Sequence, residues 1–342
     1  MQTIIAAHIA GKNVQENYLF VLLQKIAAQY STCKILLLVS ESFSTTTNNI
    51  EVQNIGEKNK IAKAYWHNFS LPKWLKNANC FITNEKLCSK TSIPQYFFTS
   101  EDITTAKPKY FEKIKTANNI FVAQAFFKEH VDNFLPKEKT INLSLGSYTI
   151  PLALSYNQTK SIQGEYTNGY DYFLFFVNTS STKNIIAVVK AFSILKKWQK
   201  TSMKLLLLLD NISEIDLISD FKNYKHKADV VFVNGTNENK AFIIAAAFAC
   251  LHFASYNYIQ NAFVTMQNKV PLITNDSALH RSIFGTAVLY SNIEDKNIAE
   301  NMQQLYKDEQ LKKELQIEAS TILQNYAADK AAAKLYEVIT AK

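Results

Sequence analysis

The side chains best equipped for chemistry are few in this chain and widely spaced. Its six histidines fall far apart, with no His-Glu-x-x-His pattern and no Cys/His pair at zinc spacing, so no metal centre is expected. Ser180-x-x-Lys183 has the spacing of serine acyl-transfer enzymes, but its companion motifs are missing and chance explains it better. There is no Gly-x-Ser-x-Gly elbow. Neither a Gly-x-Gly-x-x-Gly turn nor a Walker loop occurs, which leaves dinucleotides and triphosphates without their usual cradle. Only seven glycines are present in all. The four cysteines, Cys33, Cys80, Cys88 and Cys250, sit in apolar surroundings and read as reduced core thiols.

The elements that must position any site are easier to read. The chain has 342 residues, 47% hydrophobic and 19% charged, enough for two globular domains. Short apolar runs alternate with amphipathic helices, the pattern of βαβ units and parallel sheets. In the first half the strands are TIIAAHIA (3–10), CKILLLVS (33–40), NCFIT (79–83), QYFFT (95–99), NIFVA (119–123) and TINLS (140–144). Residues 151–170 are polar, hold two glycines and read as a linker. The alternation restarts with DYFLFFVN (171–178), a helix at 183–198, and the strands KLLLLL, ADVVFVN, CLHFAS, PLIT and AVLY. Three helices close the chain, near 294–306, 308–325 and 328–340. Two Rossmann-like α/β lobes are therefore expected, at 1–150 and 171–326, with a C-terminal helix at 327–342. Ligands of such sheets bind beyond the carboxyl ends of the strands, here in a crevice between the lobes.

Charge narrows the partners. The net charge is +8; residues 1–150 hold 17 lysines against 11 acids, and residues 151–342 hold 20 basic residues against 18 acids. A basic N-terminal lobe suits an anionic membrane face or an acidic substrate. Nucleic acid is not expected, because Arg281 is the single arginine and no basic stripe carries interleaved aromatics. No apolar run reaches the length of a membrane span, and the N-terminus lacks the basic start of a secretory signal, which points to the cytoplasm.

Phe175–Phe192, FFVNTSSTKNIIAVVKAF, resembles the start of the donor-binding lobe in family-4-like glycosyltransferases of the GT-B fold. In that family a strand ends in a Gly-containing turn, and a basic pair precedes an Asn at the start of a helix. Lys183 and Asn184 match the second basic residue and the Asn, while Asn178 replaces the Gly and Thr182 the first basic residue. Backbone N–H groups, the positive helix end and the lysine charge favour an anion there. Elsewhere Gly11 with Tyr18-Leu19 resembles the glycine loop and helix after the first strand. TSEDI (99–103) places Glu101 where members carry His and keeps the Asp as Asp102. Gly146 and Gly285 also fall at family glycines, and Gln124 replaces a Ser.

The departure lies at 254–272, ASYNYIQNAFVTMQNKVPL, where the family has two glutamates for the donor sugar and the ribose. Counting back from Pro271 puts Val264 at the second and Tyr256, or Tyr258, at the first. No carboxylate occurs between Glu238 and Asp276. Loss of a carboxylate accepting two ribose hydroxyls costs about 2–4 kcal/mol of donor affinity.

The resemblance implies transfer of a sugar, with retention, from a nucleotide-diphosphate sugar to a glycan or lipid-linked acceptor in cell-surface polysaccharide synthesis. No metal and no cofactor beyond that donor substrate are implied. Lys183, Asn184 and Asn178 would hold the donor with Tyr256, Asn257 and Tyr258 supplying neutral hydrogen bonds. Gln260 and Asn261 belong to the same loop. Asp102 and Glu101 are the candidate catalytic residues on the acceptor side, beside the Gly11 loop, and a lipid-linked acceptor brings peripheral membrane contact. Two alternatives stay open. One is a catalytically degenerate GT-B chain acting as a binding or assembly subunit. The other is a two-lobed small-molecule binding protein, a class that normally works outside the cytoplasm.

Overall fold

The computed structural model describes all residues except 1, 12, 148–150, 178–181, 210–223, 237–238, 255, 257–258 and 342. The chain divides into two compact units, Met1–Tyr148 with Tyr326–Lys342, and Thr149–Asn325. Cys33, Cys80, Cys88 and Cys250 are all buried and free.

The N-terminal unit is built on seven strands: β1 (Thr3–Ile9), β2 (Cys33–Val39), β3 (Ile50–Asn54), β4 (Cys80–Thr83), β5 (Gln95–Thr99), β6 (Asn119–Val122) and β7 (Thr140–Asn142). Their order is β3-β2-β1-β4-β5-β6-β7, and every pairing is parallel. Helix α1 (Tyr18–Gln29) follows β1 and buries Leu19, Leu22, Leu23 and Ile26, the face that its 3.6-residue spacing dictates. Between β3 and β4 run α2 (Lys60–Tyr65), a wider π turn (Trp66–Ser70) and α3 (Leu71–Leu75). Helices α4 (Pro108–Ile114) and α5 (Ala125–Val131) complete the alternation.

The stretch 151–170, expected to be a linker, instead forms helix α6 (Tyr156–Thr167) in the C-terminal unit. It has no apolar stripe to announce it. A capping box of Ser155 and Gln158 starts it, and Asn168 in the left-handed conformation ends it. Its buried residues are the polar Gln163 and Thr167, and the Gln163 amide donates to Asp171 at 2.9 Å.

Six strands form the second sheet: β8 (Tyr172–Val177), β9 (Lys204–Leu209), β10 (Val230–Asn234), β11 (Ala249–His252), β12 (Leu272–Asn275) and β13 (Leu289–Ser291). The order is β10-β9-β8-β11-β12-β13, again all parallel. Helix α7 (Thr182–Gln199) follows β8, with α8 (Lys240–Ala245), α9 (Gln260–Gln267), α10 (Ala278–Phe284), α11 (Asp295–Lys307) and α12 (Glu309–Leu323) after it. Phe173, Phe175, Leu205 and Leu207 pack with Val188, Phe192 and Leu195 of α7 and Met302 of α11 to form its main core.

At the amino ends of β9 and β10, Asp229 accepts from Lys204 at 2.7 Å and from Lys196 at 2.9 Å. Burial alone would raise the Asp229 carboxyl, but hydrogen bonds from Lys204 and Lys196 outweigh it and hold the group below its ordinary range. Both ammonium groups are mostly buried, so removing the carboxylate leaves two cations without their shared partner. Asp229→Ala is therefore expected to cost about 2–3 kcal/mol. The urea midpoint reads this directly, and an unchanged midpoint would show that the pair contributes nothing.

The last helix, α13 (Ala328–Thr340), returns to the N-terminal unit and packs on α1. Tyr336 stacks on Tyr30 with ring centroids 3.7 Å apart, Lys25 pairs with Asp329 at 2.8 Å, and Lys334 donates to the Asn142 carbonyl. The N-terminal unit thus closes with the end of the chain.

Candidate functional site

In a doubly wound sheet the strand order reverses at one point, and the loops on either side part to leave a ligand crevice. In the N-terminal unit that point lies between β1 and β4. The loop after β1 is held from across it: the Asn84 amide accepts from the Ala10 N–H at 2.9 Å and donates to its carbonyl at 3.2 Å. Glu41, after β2, accepts from the N–H groups of Val14 at 2.7 Å and Asn13 at 3.2 Å. Gly11 takes φ +111° in this loop, a conformation that side-chain-bearing residues rarely adopt.

Under the loop lies a cavity of about 290 Å³, lined by His8, Gly11, Glu41, Lys58, Trp66 and Glu85 among others. His8 is the last residue but one of β1 and is 1% exposed. Its Nδ1 lies 3.3 Å from the Thr83 hydroxyl and 3.9 Å from the Glu85 carboxylate, and its ring packs 4.9 Å from that of Trp66. His67 Nε2 approaches the same carboxylate at 3.9 Å, and Lys63 pairs with it. Burial pushes His8 down to about 4, against the pull of Glu85, and burial likewise lowers His67. Both imidazoles are thus neutral at pH 7 and able to accept a proton or a hydrogen bond. An indole face beside carboxylates and a neutral imidazole suits a polyhydroxylated ligand.

In the C-terminal unit the reversal lies between β8 and β11. Lys183 is exposed on the first turn of α7, directly after β8. Asn184 donates its side-chain amide to the Phe253 carbonyl at 3.1 Å, tying the start of α7 to the loop after β11. Arg281, the single arginine, is forked onto Asp276 at 2.6 and 2.9 Å, so its charge is already engaged.

The sequence-predicted residues fall as follows. Gly11 lines the N-terminal cavity. Glu101 and Asp102 follow β5 instead, and neither lines it. Asp102 accepts from the Thr104 N–H at 2.9 Å and hydroxyl at 2.6 Å, closing its own turn. Lys183 and Asn184 stand together at the reversal of the second sheet. Tyr256 is packed inside at 3% exposure, so its side chain helps build the loop rather than projecting into solvent. Asn178, Asn257 and Tyr258 lie outside the described residues.

Sequence reading passed over His8, Trp66 and Glu85. One signal for His8 was present, a lone polar residue near the end of an apolar strand just before a glycine loop. Glu85 gave none, because its importance depends on β4 lying beside β1.

Two parallel, doubly wound sheets flanked by helices, with this connectivity, define the GT-B fold. No protein-family model matches the chain, and no curated protein does. Among solved structures it is similar to HepE of Anabaena in complex with UDP and glucose, at 11% identity over 100% of both chains with a TM-score of 0.74. It is similar to WaaG, a glycosyltransferase involved in lipopolysaccharide biosynthesis, at 13% identity over 99% of this chain and 100% of that one, TM-score 0.69. An E. coli trehalose-6-phosphate protein bound with UDP-2-fluoro glucose aligns over 98% and 99% at 8% identity, TM-score 0.67. At these identities the likeness carries the fold.

Proposed function

We propose that this chain is a glycosyltransferase that binds a nucleotide-diphosphate sugar on its C-terminal unit. It passes the sugar, with retention, to a glycan or lipid-linked acceptor in cell-surface polysaccharide synthesis. The observation that carries the reading is the reversal between β8 and β11, where Lys183 stands on the first turn of α7 and Asn184 fixes that turn to the β11 loop. The α7 N-terminus offers N–H groups and a partial positive charge, and Lys183 adds a full one, so a departing diphosphate is stabilised electrostatically. The HepE structure, which holds UDP on a similar fold, supports the choice of a nucleoside diphosphate. The acceptor would occupy the His8–Gly11–Glu85 cavity of the N-terminal unit. A lipid-linked acceptor would bring the protein to a membrane face.

Calorimetric titration with UDP, GDP and their sugars tests the reading. UDP or GDP is expected to bind in the micromolar range, and Lys183→Ala to weaken it by roughly 10- to 30-fold, about 1.5–2 kcal/mol. Failure of a folded chain to bind any of them sinks the transferase. One observation favours the second reading, a binding or assembly subunit. No carboxylate lies between Glu238 and Asp276, and Val264, aligned with the ribose glutamate, is buried in α9. Nucleotide binding without turnover across an acceptor panel would favour that role.

A further inference from the structure

One face of the N-terminal sheet is covered only in part. The chain between β3 and β4, made of α2, the π turn and α3, seats Trp66, Leu71 and Leu75 against Ala6, Leu38 and Phe81. Toward the amino ends of the same strands the face changes character. The in-register pairs Ile4–Lys34 and Leu36–Glu51 lie on it, each joining an apolar residue to a charged one. Ile4 and Leu36 still pack against the core, while Lys34 and Glu51 are exposed.

Between this polar end of the face and α3 lies a groove of about 610 Å³ that shares no residue with the His8–Glu85 cavity. Trp74 of α3 lines it and is 37% exposed. Around the indole stand Gln2, Lys34, Asn49, Glu51, Lys73 and Asn77, all exposed. Among the described residues none of these six side chains makes a hydrogen bond or an ion pair, so their polar groups are open to a ligand. The groove and the cavity lie at opposite ends of the same strands. From Lys34 in one to Ser40 in the other the chain rises about 20 Å at 3.3 Å per residue.

These are the groups that recognise a sugar chain. The negative face of an indole attracts the C–H edges of a pyranose ring. Amide, carboxylate and ammonium groups together donate to and accept from its hydroxyls. Two lysines against one glutamate leave no cation cluster for a polyphosphate. An apolar ligand would cover the amides and charges without giving them hydrogen bonds. We propose that this groove is a second glycan site, which grips a sugar chain on Trp74 while Lys34, Glu51 and Asn77 bond its hydroxyls. The inference rests on the reading of the acceptor as a glycan and deepens it. The acceptor is then an oligosaccharide or longer chain, held at a distance from its reacting end.

Calorimetric titration of the full chain with maltohexaose, cellohexaose, mannohexaose and chitohexaose tests it, with no nucleotide present. At least one hexasaccharide is expected to bind with millimolar or tighter affinity. Trp74→Ala is expected to weaken that binding about 10-fold, and Trp74→Tyr, which keeps an aromatic face, to recover most of it. Asn77→Ala, a change at an exposed side chain, is expected to weaken it roughly 3- to 10-fold at an unchanged thermal midpoint. UDP affinity is expected to be the same in all variants. A failed UDP titration sinks the transferase but leaves the glycan titrations readable, so the two readings fall separately. Absence of binding to all four hexasaccharides overturns the glycan site. So does binding that survives both Trp74→Ala and Asn77→Ala, which would place the sugar elsewhere. A loss of UDP affinity in Trp74→Ala overturns it too, because the indole would then serve a nucleotide.

Discussion

Gly146→Ala is expected to destabilise the N-terminal unit by about 3 kcal/mol. Gly146 lies in the segment after β7, and its φ is not in the left-handed region, so the need for glycine there is spatial. A Cβ at this position would sit 2.6 Å from the Tyr326 Cβ and 2.6 Å from its carbonyl oxygen. Backbone cannot rotate away as a flexible side chain can. The Gly146 carbonyl also accepts the Tyr18 hydroxyl at the start of α1, so the strand side is held as well. Relief must come from displacing Tyr326, and with it the entry to α13. The expected result is a lower urea midpoint together with faster proteolysis between α12 and α13. Gly56→Ala is the control: its φ is +68°, but open space surrounds it, and about 1 kcal/mol is expected. Equal, small losses in both variants would remove the close approach from the account of how the C-terminus is retained.

Much of the architecture was legible because buried parallel strands are runs of large apolar residues. KLLLLL is β9, and YFLFFV, buried throughout, is β8. Strand β3, IEVQN, was passed over because it is the edge of its sheet, half-exposed, with no apolar run to mark it. Helix α6 was missed for the complementary reason, its caps rather than its hydrophobic spacing defining it. The two halves of the site differ in the same way. The position of Lys183 at the start of α7 was legible because β8 and α7 follow one another closely in the sequence. His8 and Glu85 are 77 residues apart and meet only because β4 pairs with β1, which no local pattern states. At Asp102 the sequence allows two readings, a reactive carboxylate or a turn closer, and the structure supplies a turn, with the carboxylate accepting two hydrogen bonds from Thr104.

The donor side joins what was legible to what was not. Asn184 matched a family position by sequence alone, and its bond to the Phe253 carbonyl supplies a physical reason for an amide there. Val264 departs from the family at a position whose side chain is buried in α9 among Phe263 and Met266. Restoring a glutamate at 264 would bury a charge unless the helix turned, so that single change would not supply the carboxylate of the proposed donor site.

Acidification from pH 7 to pH 5 is expected to remove about 2 kcal/mol from each unit through one buried histidine apiece. In the N-terminal unit the group is His8, and in the C-terminal unit it is His280; burial pushes each down to about 4. His280 has only burial as the cause, with its Nδ1 2.7 Å from the Ser277 hydroxyl and its Nε2 buried without a partner. The sign follows from which state takes up the proton. An unfolded histidine titrates near 6.5, so below that pH the unfolded chain gains protons that the folded chain refuses until about pH 4. The stability is therefore complete above 6.5 and is lost as pH falls toward 4. His67, also lowered by burial, adds to the loss in the N-terminal unit. Urea midpoints at pH 7 and pH 5 measure it. His280→Gln is expected to be less stable at pH 7 but to lose about 2 kcal/mol less on acidification, since its side chain no longer titrates. His8→Gln does the same for the other unit. A pH dependence identical in wild type and both variants would mean that neither imidazole is held neutral by the fold, and the His8–Glu85 cavity would then lack the neutral acceptor assigned to it.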